Sequence, residues 1–311
     1  MSEGKLLLQP GTLWTSVVNS TVHALECGAL LSIPTNFEFV EQDGVNFLVR
    51  VLANLERKEE AKKKLEKLSA ETGKVKLEKF NPFLPYDKDL FVADISETHV
   101  CILNKYNVVE HHLLMITRAF EEQESLLTLQ DFTAMWACLA QIDGLVFYNG
   151  GKVAGASQPH KHLQLIKLPL IPSGLNIPIA PLLETAKFKG SIGSLTGMPF
   201  LQVFVQFDPS FIDSPLKAAE VTLKHYHDAL DAVGLLDNDG VTSGKPKGAY
   251  NFLATREWML IIPRQKEEFA SISINSLGFA GSLFVRDEKQ MQILKDSGPM
   301  NMLQNVAFAQ I

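Results

Sequence analysis

The stretch Ser157-Gln158-Pro159-His160-Lys161-His162-Leu163-Gln164 sets two imidazoles and a carboxamide at alternate positions. It follows a glycine turn, Asn149-Gly150-Gly151, and a further glycine at Gly155, and it runs on into the strand-like Leu165-Ile166-Lys167-Leu168. Side chains along a strand alternate faces, so His160, His162 and Gln164 share one face and Lys161 takes the other. Imidazole is a good nucleophile toward phosphorus and is partly neutral near pH 7. Attack requires the far ring nitrogen to keep its proton, and a backbone carbonyl on the adjoining turn could accept it. Gln164 cannot titrate, so it would donate its amide to a phosphate oxygen rather than act as an acid. The glycines and Ser157 would let backbone N–H groups approach a phosphate, and Pro159 fixes the entry into the strand. The histidine pair by itself leaves other readings open, since His-x-His on a strand is also a metal-ligand spacing and buried structural histidines are common.

Other properties of the chain narrow the chemistry. It has 311 residues, 46% of them hydrophobic, enough for a sizeable core in one large domain or two modest ones. A formal net charge of −6 argues against a general nucleic-acid binder, while leaving room for a local cationic pocket that holds a small polyphosphate. No apolar run is long enough to cross a membrane, and the start Met1-Ser2-Glu3-Gly4-Lys5 lacks a signal-peptide pattern, so the expected compartment is the cytoplasm. Cys27, Cys101 and Cys138 are widely spaced. They suggest neither a disulfide framework nor a thiolate zinc site, and each reads as a small buried hydrophobe, so no metal ligand is assigned.

The elements that must position the motif are legible in outline. Residues 37–48 read as a strand pair turning at Gln42-Asp43-Gly44, and 54–68 as a charged helix. Asn81 to Asp87, with two prolines, is a loop. Leu90–Ile95, His99–Asn104 and His112–Thr117 read as buried strands. A helix from Thr128 to Asp143 is capped by Thr128 with Asp131 and closed at Gly144, and it feeds a strand over 145–149. In the second half, a proline-rich connection through Pro169, Pro172, Pro178 and Pro181 leads to a strand over 200–207. A helix from Pro215 to about Val233 and a loop at Asp237–Gly240 follow. His112–Arg118, preceded by the strand at 101–104, resembles Trp258–Arg264, preceded by the strand at 250–255, which points to a duplicated α+β core.

Gly155-Ala156-Ser157-Gln158-Pro159-His160-Lys161-His162-Leu163-Gln164 resembles the branch of the histidine-triad superfamily in which glutamine replaces the last histidine. The nearest signatures are those of galactose-1-phosphate uridylyltransferases and diadenosine tetraphosphate phosphorylases, the latter also called ATP adenylyltransferases. Asn81-Pro82-Phe83-Leu84-Pro85-Tyr86, Leu103–Asn107 with His111–Thr117, and Tyr250–Leu253 with Trp258–Arg264 resemble the phosphorylases, and the likeness runs from about residue 10 to 300. It implies an α+β fold of the HIT/GalT type, with antiparallel sheets and packed helices. A catalytic half would span 1–170 and a C-terminal half 171–311, or the two would form one integrated domain.

The resemblance further implies His162 as nucleophile, Gln164 on the phosphate and His160 as a supporting motif residue. Asn149, Ser157 and Gln158 would contact the reacting phosphates at the loop of Gly155. Lys105 and Arg50 are candidates for charge along the phosphate chain, with Arg256, Arg264 and Lys266 behind them, and His112 reads as structural. The implied partners are a dinucleoside polyphosphate, ATP, ADP, AMP and inorganic phosphate, with Mg2+ or another divalent cation on the polyphosphate. The implied reaction joins diadenosine tetraphosphate and phosphate to give ATP and ADP, reversibly. A sugar-phosphate nucleotidyltransferase and a non-catalytic nucleotide-binding protein are the alternatives. If the Gln164 amide donates in the transition state, removing it slows transfer by ~10²–10³-fold in single-turnover assays.

Overall fold

The computed structural model describes residues 5–52, 81–171, 174–236 and 242–310. The charged stretch at 54–68, Pro172 and the Asp237–Gly240 loop lie outside the described residues. Helix α1 (Leu13–Glu26) comes first, followed by strands β1 (Thr35–Gln42) and β2 (Val45–Leu52). Their turn places Asp43 and Gly44 at φ of 52° and 79°, the left-handed pair that a tight hairpin demands.

Ten further strands form one antiparallel sheet. They are β3 (Phe91–Asp94), β4 (His99–Leu103), β5 (Leu113–Thr117), β6 (Gly144–Gly150), β7 (His162–Lys167), β8 (Ala186–Lys189), β9 (Ile192–Leu195), β10 (Val203–Gln206), β11 (Tyr250–Ala254) and β12 (Trp258–Pro263). Their spatial order is β3-β4-β5-β7-β6-β11-β12-β10-β9-β8. Each half is a three-stranded meander, then a helix, then a hairpin whose second strand docks against the meander. The helices are α2 (Leu129–Leu139) in the first half and α3 (Pro215–Ala232) in the second. The core is therefore duplicated, with β6 and β11 meeting at the seam, where Asn149 stands opposite Asn251.

The topology pairs the copies differently from the sequence similarity. By position in the sheet β5 corresponds to β10, and β12 corresponds to β7, so the likeness of 112–118 to 258–264 reflects two buried strands of similar make-up. The hairpin β8–β9 carries no strong alternation and was not expected. Helix α2 begins with the expected capping box but stops at Leu139. Its last carbonyls, at Leu139 and Ala140, accept from Arg256 at 2.7 and 3.3 Å. Gly144 instead opens β6, where a Cβ would stand 2.8 Å from the Ile166 carbonyl oxygen.

One face of the sheet carries Cys101, Met115, Leu163, Leu165, Val146, Phe252 and Ile261 and is covered by α1, α2 and α3. On the opposite face two separate apolar patches form. Leu145, Phe147, Ile166, Leu253 and Leu260 pack beneath β2, β13 (Ser282–Val285) and the helices α4 (Glu288–Ser297) and α5 (Pro299–Val306). Val100, Ile102, Leu114 and Ile116 pack beneath Phe83. The patches approach each other at β7, and His162 and Gln164 belong to neither. No helix among the described residues is long and apolar enough to cross a membrane.

Lys161 fastens the motif to the helical layer. It is fully buried, with Nζ 2.7 Å from Asp131 Oδ2, 3.1 Å from Glu121 Oε2 and 2.8 Å from the Leu126 carbonyl. Asp131 is the capping-box residue of α2 and also receives His99 Nε2 at 3.1 Å. Burial alone would raise the Asp131 carboxyl, but the Lys161 charge and the His99 bond hold it well below the usual range. Burial likewise works against the Lys161 ammonium, and Asp131 with Glu121 reverses that and raises it. Lys161→Met leaves a buried carboxylate without its cation and should destabilise the fold by about 3–5 kcal/mol in urea titration, whereas Lys161→Met with Asp131→Asn should cost less than the sum of the two single changes.

Candidate active site

His162 opens β7 between Ile116 of β5 and the end of β6. The β6–β7 ladder runs only as far as Phe147 with Gln164, and the two strands part beyond that pair. The gap is bridged by Gln123, whose Nε2 donates to the carbonyls of Asn149 (3.0 Å) and His162 (3.3 Å) and whose Oε1 accepts from His162 N at 2.8 Å. A buried side chain thus supplies the partners that a neighbouring strand would give. Nothing in the spacing of the sequence marks Gln123.

The imidazole of His162 is set by one contact, Nδ1 lying 2.8 Å from the His160 carbonyl oxygen. A carbonyl only accepts, so Nδ1 carries the proton and Nε2 keeps its lone pair. No described residue hydrogen-bonds Nε2. Burial, with a smaller contribution from the charge of His160, lowers the His162 pKa from the usual 6.5 to about 4, against the bond to the His160 carbonyl. The ring is neutral at physiological pH, as a nucleophile must be.

His160 is buried and turned into the protein. Asn81 Oδ1 accepts from Phe83 N at 3.0 Å, which leaves its amide nitrogen to donate to His160 Nδ1 at 3.0 Å. The His160 proton is then on Nε2, which donates to the Thr117 carbonyl at 2.8 Å. Phe83 lies edge-on to both histidines, with ring centroids 5.5 and 5.3 Å away. His160 therefore shapes the loop and presents the carbonyl that His162 needs.

Gln164 is partly exposed beside His162 on the same face, and His112 Nε2 lies 3.0 Å from its Oε1. Asn149 is buried opposite the motif, with Oδ1 accepting from Asn251 Nδ2 (3.0 Å), Ser276 N (3.0 Å) and Ser276 Oγ (2.7 Å). No described residue accepts from its Nδ2, so any contact with a phosphate would be made by that amide. Asn251 in turn donates to the Ala154 carbonyl at 2.8 Å, so the second half of the chain braces the motif loop.

The remaining candidates separate. Gly155 has φ of +91°, and a Cβ there would stand 2.9 Å from Asn275 Cβ. Its N–H is spent on Lys152 O and that of Ala156 on Gly151 O, so this glycine serves close packing and a turn rather than phosphate approach. Ser157 is exposed and Gln158 partly so, and among the described residues neither N–H has a backbone partner. Lys105 adjoins Asn104 at the site's edge and pairs with Asp87 at 3.4 Å. Arg50 lies on β2 in the other sheet, bonded to Thr35 Oγ1 and the Leu170 carbonyl, and none of its described partners belongs to the histidine strand.

Arg264 is 3% exposed and donates to Asn251 Oδ1 and to four backbone carbonyls. It holds the second half together, as Arg256 holds the end of α2 through Nε and Nη2, and the buried Arg264 guanidinium is not free for a polyphosphate. The Lys266 carbonyl is one of the Arg264 acceptors. Cys101 and Cys138 are buried as expected, but Cys27 is exposed, at the C-terminal end of α1 next to His23 and Asp89.

Comparison with known proteins bears on this arrangement. Residues 3–185 match the model of the Ap4A phosphorylase N-terminal domain, and residues 196–309 that of the ATP adenylyltransferase C-terminal domain. Diadenosine 5',5'''-P1,P4-tetraphosphate phosphorylase 2 of Saccharomyces cerevisiae is 27% identical over 258 residues, 70% of this chain and 72% of that protein. Protein APA1 of the same organism is 24% identical over 62% of this chain and 63% of its own length. The crystal structure of yeast Ap4A phosphorylase Apa2 in complex with AMP has the same fold, with a TM-score of 0.76 at 21% identity, covering 98% of this chain and 99% of that one.

An imidazole that is neutral above about pH 4 has no reason to follow an ordinary histidine titration. If His162 is the group that attacks phosphorus, its single-turnover modification by nucleotide without phosphate should stay level as pH falls from 8 to 5 and decline only on approach to about 4. A limb centred near 6.5 would contradict the burial of this ring.

Proposed function

The chain belongs to the Ap4A phosphorylase family, and we propose that it cleaves diadenosine tetraphosphate with inorganic phosphate through an adenylyl-histidine at His162. The observation that carries the proposal is the fixed tautomer of His162, with Nδ1–H on the His160 carbonyl and the Nε2 lone pair unclaimed by any described residue. Nε2 attacks the α-phosphorus, an N–P bond forms, and the P–O bond to ATP breaks. Phosphate oxygen then attacks the adenylyl group from the opposite side, the N–P bond breaks, and ADP leaves. Gln164 Nε2 and Asn149 Nδ2, neither spent on a described acceptor, would steady the charge on the phosphoryl oxygens in both steps. Two in-line displacements give retention at phosphorus and ping-pong kinetics. The same steps run in reverse make the enzyme an ATP adenylyltransferase.

A divalent cation such as Mg2+ enters as part of the substrate. The described partners of His162, Gln164 and Asn149 are amides, imidazoles, hydroxyls and carbonyls, with no carboxylate to hold a metal. The cation's ligands would then be phosphate oxygens, and its task is to neutralise charge along the chain. The sugar-phosphate nucleotidyltransferase alternative gives way to the phosphorylase because both matched family models are of the latter kind.

The deciding experiment is intact-protein mass after brief mixing with diadenosine tetraphosphate and Mg2+, without phosphate. Wild type should gain one AMP and His162→Ala none, and a phosphate chase should release the adduct as ADP. Nucleotide bound without an adduct would mark a binding protein instead.

A further inference from the structure

Asn104, just past the end of β4, makes an Asx turn in which Oδ1 accepts from Tyr106 N at 3.3 Å. A backbone N–H can only donate, so the oxygen of this carboxamide is identified and its nitrogen is the atom facing His112 Nδ1 at 3.3 Å. Nδ1 is then the acceptor nitrogen of His112, and the proton resides on Nε2. That proton points at Gln164 Oε1, 3.0 Å away. With its oxygen taken, Gln164 has only its NH2 to offer the space beside His162.

We propose that Asn104 and His112 are positioning residues, forming a relay that begins at the Tyr106 N–H and makes Gln164 present its amide nitrogen, never its oxygen, to the phosphate. The kinetic part of this proposal rests on the adenylyl-transfer reading, and the tautomer part stands without it. The relay matters because the two ends of a carboxamide are nearly the same shape. A free glutamine could turn about its last bond and set an oxygen lone pair against the phosphoryl oxygens. In the relay that turn would bring Gln164 NH2 against His112 Nε2–H, donor against donor.

The surroundings suit a neutral relay. The His112 ring is buried and packs on Phe147 with centroids 5.7 Å apart. The groups facing it are Asn104 from the end of β4, and Gln164 and His162 from β7; Lys105, the nearest charge on the Asn104 segment, is paired with Asp87. Burial lowers the His112 pKa to about 4, with the Gln164 bond opposing and His162 adding to the effect. The ring thus keeps one proton throughout the working range of the enzyme.

The first test needs no substitution. Two-dimensional 15N spectra of the imidazoles report which ring nitrogen is protonated, and wild-type His112 should show the Nε2–H tautomer. The Nδ1–H tautomer would overturn the relay. The second test is Asn104→Asp, which keeps the size and the Tyr106 bond but puts an acceptor against Nδ1. The neutral ring then moves its proton to Nδ1, its bare Nε2 draws the Gln164 NH2, and Oε1 faces the phosphate.

The added carboxylate also raises the His112 pKa. At lower pH the imidazolium donates from both nitrogens and restores the original order. Adenylylation by Asn104→Asp should therefore fall by ~10²-fold as pH rises through the new pKa and recover on acidification, a limb absent from wild type. Asn104→Asp with Gln164→Ala should be no slower than Gln164→Ala alone. A loss that is independent of pH and additive with Gln164→Ala would be a merely structural effect and would overturn the proposal. Wild type that shows Nε2–H on His112 but forms no adduct would count against the transfer reading and leave the relay in place.

Discussion

The contact on which the rest depends is the 2.8 Å bond between His162 Nδ1 and the carbonyl of His160. It joins two residues of one motif, so its geometry is set by the backbone between them and not by a distant partner. Were that backbone to rotate, the imidazole would lose its acceptor and its lone pair would have no fixed direction. Much of the surrounding structure immobilises this short segment. Lys161 ties it to α2 from behind, Gln123 clamps the N–H and C=O of His162, and Asn81 with Thr117 locks the His160 ring. Each anchor uses a side chain that the reaction itself does not need.

A single device recurs in the control of protons. Asn81 and Asn104 each bend back on the N–H two residues ahead, and each thereby aims an amide nitrogen at the Nδ1 of a histidine. An Asx turn is local and costs little to organise, yet it passes the fixed polarity of a peptide N–H to a ring that could otherwise hold its proton on either side. With His162 set by a backbone carbonyl, three neighbouring histidines have assigned tautomers, and among the described residues none of them hydrogen-bonds a carboxylate. A carboxylate there would favour imidazolium, which cannot attack phosphorus.

The motif and the capping box of α2 were legible because each is written in contiguous residues, and the antiparallel α+β architecture was legible only through the family resemblance. The shared face of His162 and Gln164 was legible too, since it follows from strand alternation alone. The roles of Gln123, Asn251, Ser276 and Arg264 were not legible, since they depend on which strands meet at the seam between β6 and β11. Arg264 illustrates the difficulty. In sequence it is a spare cation, and only the fold reveals the carbonyls that converge on it. Gly155 was marked as a special position for the wrong reason, because the neighbour that forbids a side chain there, Asn275, is 120 residues downstream. The repeat was visible but misaligned, because buried apolar strands look alike when topology is unknown.

The seam has a consequence for how the two halves can exist apart. β6 and β11 are the innermost strands of their halves, and all of β11 pairs with Val146 to Gly150 of β6. Either half made as a separate polypeptide would present an apolar, fully formed strand as an unprotected edge, an open template for self-association. The motif loop in such a fragment would also lose the Asn251 and Ser276 contacts that brace it. The two copies of this duplication are therefore no longer separable modules. The second copy has become the scaffold against which the first one keeps its active shape.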